Sequence, residues 1–226
     1  MWRAAFNSFY VAIIGCVLGL IGTCVAAYPM AYGNFYGKKL YVIIIMFTMW
    51  FNAGIVPLFL TIRQLGLYDS LWALILNSMI TAYNVVIIRS YFSSIPFSVI
   101  ESARIDGATD YRILFQLVIP LSKPVLATVA LWLIVGHWND YLNPLVLIHS
   151  QEHKTLQLFL KELVLNAETS TSNLASVNDA TNKGVAALSQ QLKNGVLVVS
   201  MVPMLVLYPF LQKFFVSGVM LGSVKG

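Results

Sequence analysis

The side chains suited to metal or acid–base chemistry are few: three His, two Cys and nine Asp plus Glu in 226 residues. His149 and His153 stand four apart in "HSQEH", with Glu152 between them. A zinc helix places the glutamate directly after the first histidine, and no third ligand is evident, so these read as solvated loop residues. Cys16 and Cys24 lie eight apart inside one apolar stretch. On a helix that is roughly 12 Å of rise, beyond disulfide reach, which leaves them as small buried hydrophobes. No glycine loop of the phosphate-cradling kind is present, so any nucleotide hydrolysis must happen in another chain. No catalytic residue and no metal site is expected. The densest charges are Glu101, Arg104, Asp106, Asp110 and Arg112, in "ESARIDGATDYR". Acids, arginines and a helix-breaking glycine with no nucleophile beside them are recognition chemistry.

These charges must be positioned by elements of an unusual kind. The chain is 58% hydrophobic and 10% charged, with a mean hydropathy of +0.77. A soluble domain carries about 25% charged residues, so most of this surface meets lipid. The net charge of +5 reflects basic residues held at one membrane face rather than nucleic-acid binding. Five apolar stretches approach the roughly 20 residues that a helix needs to cross hydrocarbon: about 10–28, 40–62, 71–88, 124–141 and 194–212. A barrel would show short alternating segments instead. The fold class is all-α, a polytopic transmembrane helical bundle forming one domain over 1–226. The start, "MWRAAFNSFYVAIIG", has one arginine and no small-residue cleavage site, so it is a spanning helix rather than a signal peptide.

Loop charges orient the bundle. Lys38, Lys39, Arg89, Arg104, Arg112, Lys123, Lys213 and Lys225 fall on one side, against Arg3 and Arg63 in short segments on the other. The first side is cytoplasmic. The coupling loop, 94–117, is therefore cytoplasmic, and the polar segment 148–193 is external. The N-terminus is also external, and we expect one more span ahead of it.

Within the cytoplasmic loop, "SVIE" reads as a capping box, with Ser98 as N-cap and Glu101 reaching back. Gly107 ends that helix in the left-handed conformation, and Thr109 caps a second one climbing through "YRILFQLVIP". A helix, a glycine break and a helix lying across the cytoplasmic mouth suit docking into a groove on a soluble partner.

This stretch, "IESARIDGATDYRILFQLVIPLSKP", resembles the EAA motif of binding-protein-dependent ABC importer permeases, E-A-A-x-x-D-G-A followed by an apolar helix ending in L-P. Glu101, Ala103, Asp106, Gly107, Ala108, Phe115, Pro120 and Pro124 match, while Ser102 replaces an alanine and Ile119 a leucine. "NSFYVAIIG", "HWNDYLNPLVLI" and "YPFLQKFFVSGVMLGSVKG" are similar to the carbohydrate-uptake, MalG-type branch, and the ending to its LplC/YtcP group. The resemblance implies a type I importer (MetI-like) fold with a coupling helix seated on an ATPase. Glu101, Ser102, Ala103, Arg104, Asp106, Gly107 and Ala108 are the implied ATPase-coupling residues. The implied partners are a second permease (a heterodimer), two ATP-binding cassette subunits carrying ATP and magnesium, and an external solute-binding protein. The implied function is uptake of sugars, oligosaccharides or complex glycans, across a bacterial cell membrane, with this multi-pass chain as a non-catalytic subunit. Family members have six spans and the first is absent here, which implies truncation or a misassigned start.

Polar residues inside spans mark a candidate substrate pathway. Asn77, Thr81 and Asn84 share one face at helical spacing, and Trp138, Asn139 and Asp140 close the fourth span, where aromatic faces and amides suit a sugar. Gly15, Gly19 and Gly22 form a stripe for helix packing. Pro57, Pro203 and Pro209 bend their spans. The competing function, an ion-coupled secondary transporter, needs intramembrane charge relays, and only Asp140 comes near one.

Overall fold

The computed structural model describes residues 1–174 apart from Asn52, with a few isolated positions between 191 and 205. The described residues are helical, with no strand among them. Helix α1, Trp2–Tyr32, is long and apolar enough to cross a membrane alone. Its two faces differ in residue size. Ala4, Ser8, Ala12, Gly15, Gly19 and Ala27 are buried, while Phe6, Phe9, Ile13, Val17, Ile21 and Val25 are exposed. Large apolar side chains suit lipid, and small ones let backbones approach closely where helices pack.

Three further apolar segments are bent pairs. The 40–62 stretch divides into α2, Lys38–Trp50, and α3, Ile55–Gln64. Gly54 precedes α3 with φ +85°, and Pro57 sits in its first turn, where the missing N–H costs nothing, rather than bending a continuous span. The 71–88 stretch is α4, Leu71–Asn77, and α5, Ala82–Phe92, meeting at 49°. Ser78 Oγ donates to the Leu74 carbonyl at 3.1 Å, and Thr81 Oγ1 accepts from the Asn84 N–H at 3.4 Å. Side chains that bond the backbone locally compete with helix continuation, so the break falls where the sequence placed Ser and Thr.

The loop expected to be cytoplasmic supplies α6, Phe97–Ile105, and α7, Asp110–Ile113. A π-helical stretch, Leu114–Val118, and α8, Ile119–Leu121, lead into α9, Lys123–Asn139, through an 85° bend. Pro124 has no N–H to return to the Pro120 carbonyl, so the ladder parts beside buried Ser122. Helix α10, Leu142–Leu147, and α11, Leu156–Leu174, follow. The front of the segment expected to be external and polar is thus packed: Leu156, Leu158 and Leu160 are buried. Apart from those isolated positions, the 194–212 stretch, with Pro203 and Pro209, lies outside the described residues.

Helix α1 is the hub, packing chiefly on α9 and α5, then on α4 and α11. The main core joins Cys24, Ala27 and Tyr28 to Val85, Ile88, Val129 and Leu133. The two ends are chemically distinct. At the N-terminal end of α1, Arg3 pairs with Glu152 at 3.0 Å and Asn7 Nδ2 donates to the Glu152 and Lys154 carbonyls. There too, Asp69 Oδ1 accepts from the N–H groups of His149 and Ser150 at 2.8 and 2.9 Å. At the other end, Tyr32 donates to the Phe92 carbonyl and Tyr28 meets Asp110. Loops 33–37 and 93–122 therefore share one end, the arrangement expected from the basic residues.

Candidate functional site

Helix α6 begins after Pro96, with Ser98 already inside its first turn. No capping box forms. The Ser98 carbonyl instead accepts from Ser102 Oγ at 2.9 Å, and the helix starts two residues earlier than a Ser98 cap would require, at Pro96, whose restricted φ leads into it. The other end follows the sequence. Gly107 has φ +79°, its N–H donates to the Arg104 carbonyl, and the Ala108 N–H donates to Ala103, both at 3.0 Å. This is a Schellman closure. Thr109 holds the N-cap position of α7 without a side-chain hydrogen bond.

The seven residues assigned to coupling fall on this one helix and its turn. Ile100 is buried and Ala103 and Ala108 are half-buried against the core, which fixes how α6 is rolled. Glu101, Ser102, Asp106 and Gly107 then face outward, and Phe97, Ile105 and Tyr111 are also exposed. A charged and apolar surface on a short anchored helix is suited to a protein partner. Arg104 departs from a purely outward role, because its Nη2 donates to Asp110 Oδ1 at 3.1 Å. That carboxylate holds the guanidinium pKa above its ordinary value. The same oxygen accepts from the Tyr28 hydroxyl at 3.0 Å. A cavity of about 580 Å³ opens beside this junction, lined by Pro29, Phe35, Tyr111 and Leu114 among others. Tyr28 and Asp110 were absent from the sequence-derived set. A tyrosine ending an apolar stretch and an acid three residues past the glycine are the available signals, but neither names the other.

Near the middle of α1, where His137 meets Gly15, four of the six residues proposed for the pathway line one cavity of about 530 Å³: Thr81, Asn84, Asn139 and Asp140. Asn77 and Trp138 do not line it. Asn77 closes α4 ahead of the bend, which destroys the single helical face assumed for 77, 81 and 84. Trp138 is buried, with Phe9 edge-on at 5.1 Å between ring centroids and with Leu156 and Leu160 alongside. The cavity instead gains Tyr83, Trp132, Asn143 and His137. His137 is buried, with Nδ1 3.4 Å from Ser78 Oγ and its ring against Gly15. Side chains added at Gly15 or Gly19 would strike the His137 ring or the Met79 carbonyl, so the glycine stripe does serve helix packing. Both cysteines are buried and unpaired, and no cluster of three metal-binding side chains occurs among the described residues.

Residues 12–177 match the family described as binding-protein-dependent transport system inner membrane component. Protein LplC of Bacillus subtilis (strain 168) is 37% identical over 99% of this chain and 74% of its own length. The polygalacturonan/rhamnogalacturonan transport system permease protein YtcP of the same organism is 34% identical over 100% and 78%. A solved bacterial ABC transporter involved in the import of the acidic polysaccharide alginate superposes with a TM-score of 0.82 at 34% identity, covering 95% of this chain and 75% of that one. The chain belongs to the binding-protein-dependent transport system inner membrane components, the ABC importer permeases that work with an ATPase and a binding protein.

Proposed function

We propose that this chain is one permease subunit of a bacterial cell-membrane importer for sugars, oligosaccharides or complex glycans. It pairs with a second permease, two ATP-binding cassette subunits and an external solute-binding protein, and it does no catalysis itself. Support for the substrate class comes from the relatives' names, which include oligosaccharide and polysaccharide transport systems. ATP and magnesium belong to the partner subunits, whose hydrolysis of nucleotide supplies the free energy.

The observation that carries the mechanism is the fastening of α6 to α1. Glu101, Ser102, Asp106 and Gly107 form the face offered to the ATPase, with Ala103 and Ala108 packed beneath. Arg104 and Asp110 return the load to Tyr28 near the cytoplasmic end of the central helix. Movement of the ATPase subunits then reaches the helix that packs on α5 and α9, opening the pathway to either side in turn. The test is the purified complex in proteoliposomes. Loaded binding protein should raise ATP hydrolysis, and sugar uptake should stop when the ATPase is inactivated. Uptake that persists on an ion gradient with a dead ATPase would defeat the proposal.

A further inference from the structure

The cavity at the outer end of α9 has a lining that lipid cannot cover. Ser78, Thr81, Asn84, Asn139, Asp140 and Asn143 bring hydroxyl, amide and carboxylate groups to it. Hydrocarbon leaves such groups without partners, so the cavity faces water, protein or a polar solute. Its wall also carries two aromatic rings. Tyr83 and Trp132 lie 5.5 Å apart between centroids and tilted by 35°, and they remain 53% and 41% exposed. Trp138 is covered, whereas this pair stays open beside the polar lining. An open aromatic pair beside amides is what a pyranose requires, because its C–H faces lie against rings while its hydroxyls pair with polar groups.

Charge narrows the class of sugar. Asp140 is the carboxylate of the lining, and no Lys or Arg is among the described lining residues. The Asp140 oxygens accept from Asn143 through its N–H at 3.2 Å and its Nδ2 at 2.8 Å. A carboxylate has about four acceptor sites, so two stay available for hydroxyl donors. A second carboxylate brought into this space meets repulsion and no cation. Building on the sugar-importer reading, we infer that this cavity is a subsite for an uncharged pyranose ring, with Tyr83 and Trp132 as its platform and Asp140 excluding uronates. This chain thereby parts company with the acidic polysaccharide named for the solved relative.

The test uses the assembled importer in nanodiscs without its binding protein, so that the membrane part is read alone. Calorimetry follows neutral tetrasaccharides of gluco, galacto and arabino configuration against tetragalacturonate. At least one neutral sugar should bind, with tetragalacturonate about tenfold weaker or worse. Trp132→Leu should weaken neutral binding about fivefold, and Trp132→Phe should restore most of it. Asp140→Asn should narrow the gap between neutral and acidic sugars. Tetragalacturonate binding as tightly as every neutral sugar would overturn the subsite, as would an absence of any binding. Loss of complex assembly in both Tyr83→Leu and Trp132→Leu would assign the cavity to the contact between subunits and equally sink the idea. The importer reading fails separately, by absence of ATP-driven uptake in the wild-type complex supplied with its binding protein.

Discussion

The Tyr28 hydroxyl donates to Asp110 Oδ1 at 3.0 Å, and Arg104 Nη2 reaches the same oxygen at 3.1 Å. One carboxylate oxygen thus joins the central membrane helix to both sides of the glycine turn. Removing the phenolic hydroxyl in Tyr28→Phe deletes one member and leaves the ring in place. We expect a stability loss of about 1 kcal/mol and roughly two- to fivefold less sugar moved per nucleotide hydrolysed. Sharing an oxygen also makes the two donors interdependent. The combined Tyr28→Phe and Arg104→Ala variant should lose less coupling than the single effects summed; simple additivity would show that the junction does not act as a unit.

Gly107 tests the turn itself. With φ +79° and nothing within 4 Å of an added Cβ, the cost of Gly107→Ala is purely conformational, about 1–2 kcal/mol. Gly107→Pro also removes the N–H that donates to Arg104 and imposes a φ of the wrong sign. Alanine should lower coupling partly. Proline should separate ATP hydrolysis from uptake while the chain still inserts, which membrane fractionation and paired assays will report. Normal uptake by the proline variant would rule out the coupling role.

The glycine stripe makes a graded prediction. A Cβ at Gly19 would lie 2.8 Å from the Met79 carbonyl, which is backbone, whereas one at Gly22 would meet the end of the Ile80 side chain at 2.8 Å. Backbone cannot step aside and a flexible side chain can. Gly19→Ala should cost about 1–3 kcal/mol and Gly22→Ala clearly less, read as thermal unfolding of the detergent-solubilised protein. Equal effects would refute this packing argument.

Asp69 secures the opposite end. Its carboxyl pKa is lowered from 3.8, chiefly by the Ser150 N–H and then by that of His149. A lowered folded-state pKa means that stabilisation is present above 3.8 and is lost as pH falls through the lower folded value. At neutral pH, Asp69→Ala should speed amide hydrogen exchange at His149 and Ser150 about three- to tenfold. Asp69→Asn should do less, since asparagine tolerates the φ of +59° and keeps an acceptor. Unchanged exchange in the alanine variant would show that these hydrogen bonds do not restrain the segment.

Much of the candidate site was legible because its signals are local. The glycine turn depends on one residue's freedom at positive φ, and a Schellman closure involves only the chain from Ala103 to Ala108. Helix class follows from composition, and the gathering of the basic loops at one end from loop charge, both of which act along the chain. The capping box was misread because Pro96 sets the helix start before Ser98 can cap it, a competition between two local signals. Treating 71–88 as one straight helix failed for a similar reason, as Ser78 and Thr81 take backbone bonds that continuity needs.

The chain by itself determined that this is a membrane helical bundle with a short helix, closed by a glycine turn, on its basic side. Only the tertiary structure decided that Asp110 answers Tyr28, that Trp138 is core while Trp132 is open, and that Thr81, Asn84 and Asp140 share a cavity. Those facts depend on how helices far apart in sequence are rolled and bent against α1. Periodicity cannot supply that, because a helix written in one dimension does not say which neighbour its faces will meet.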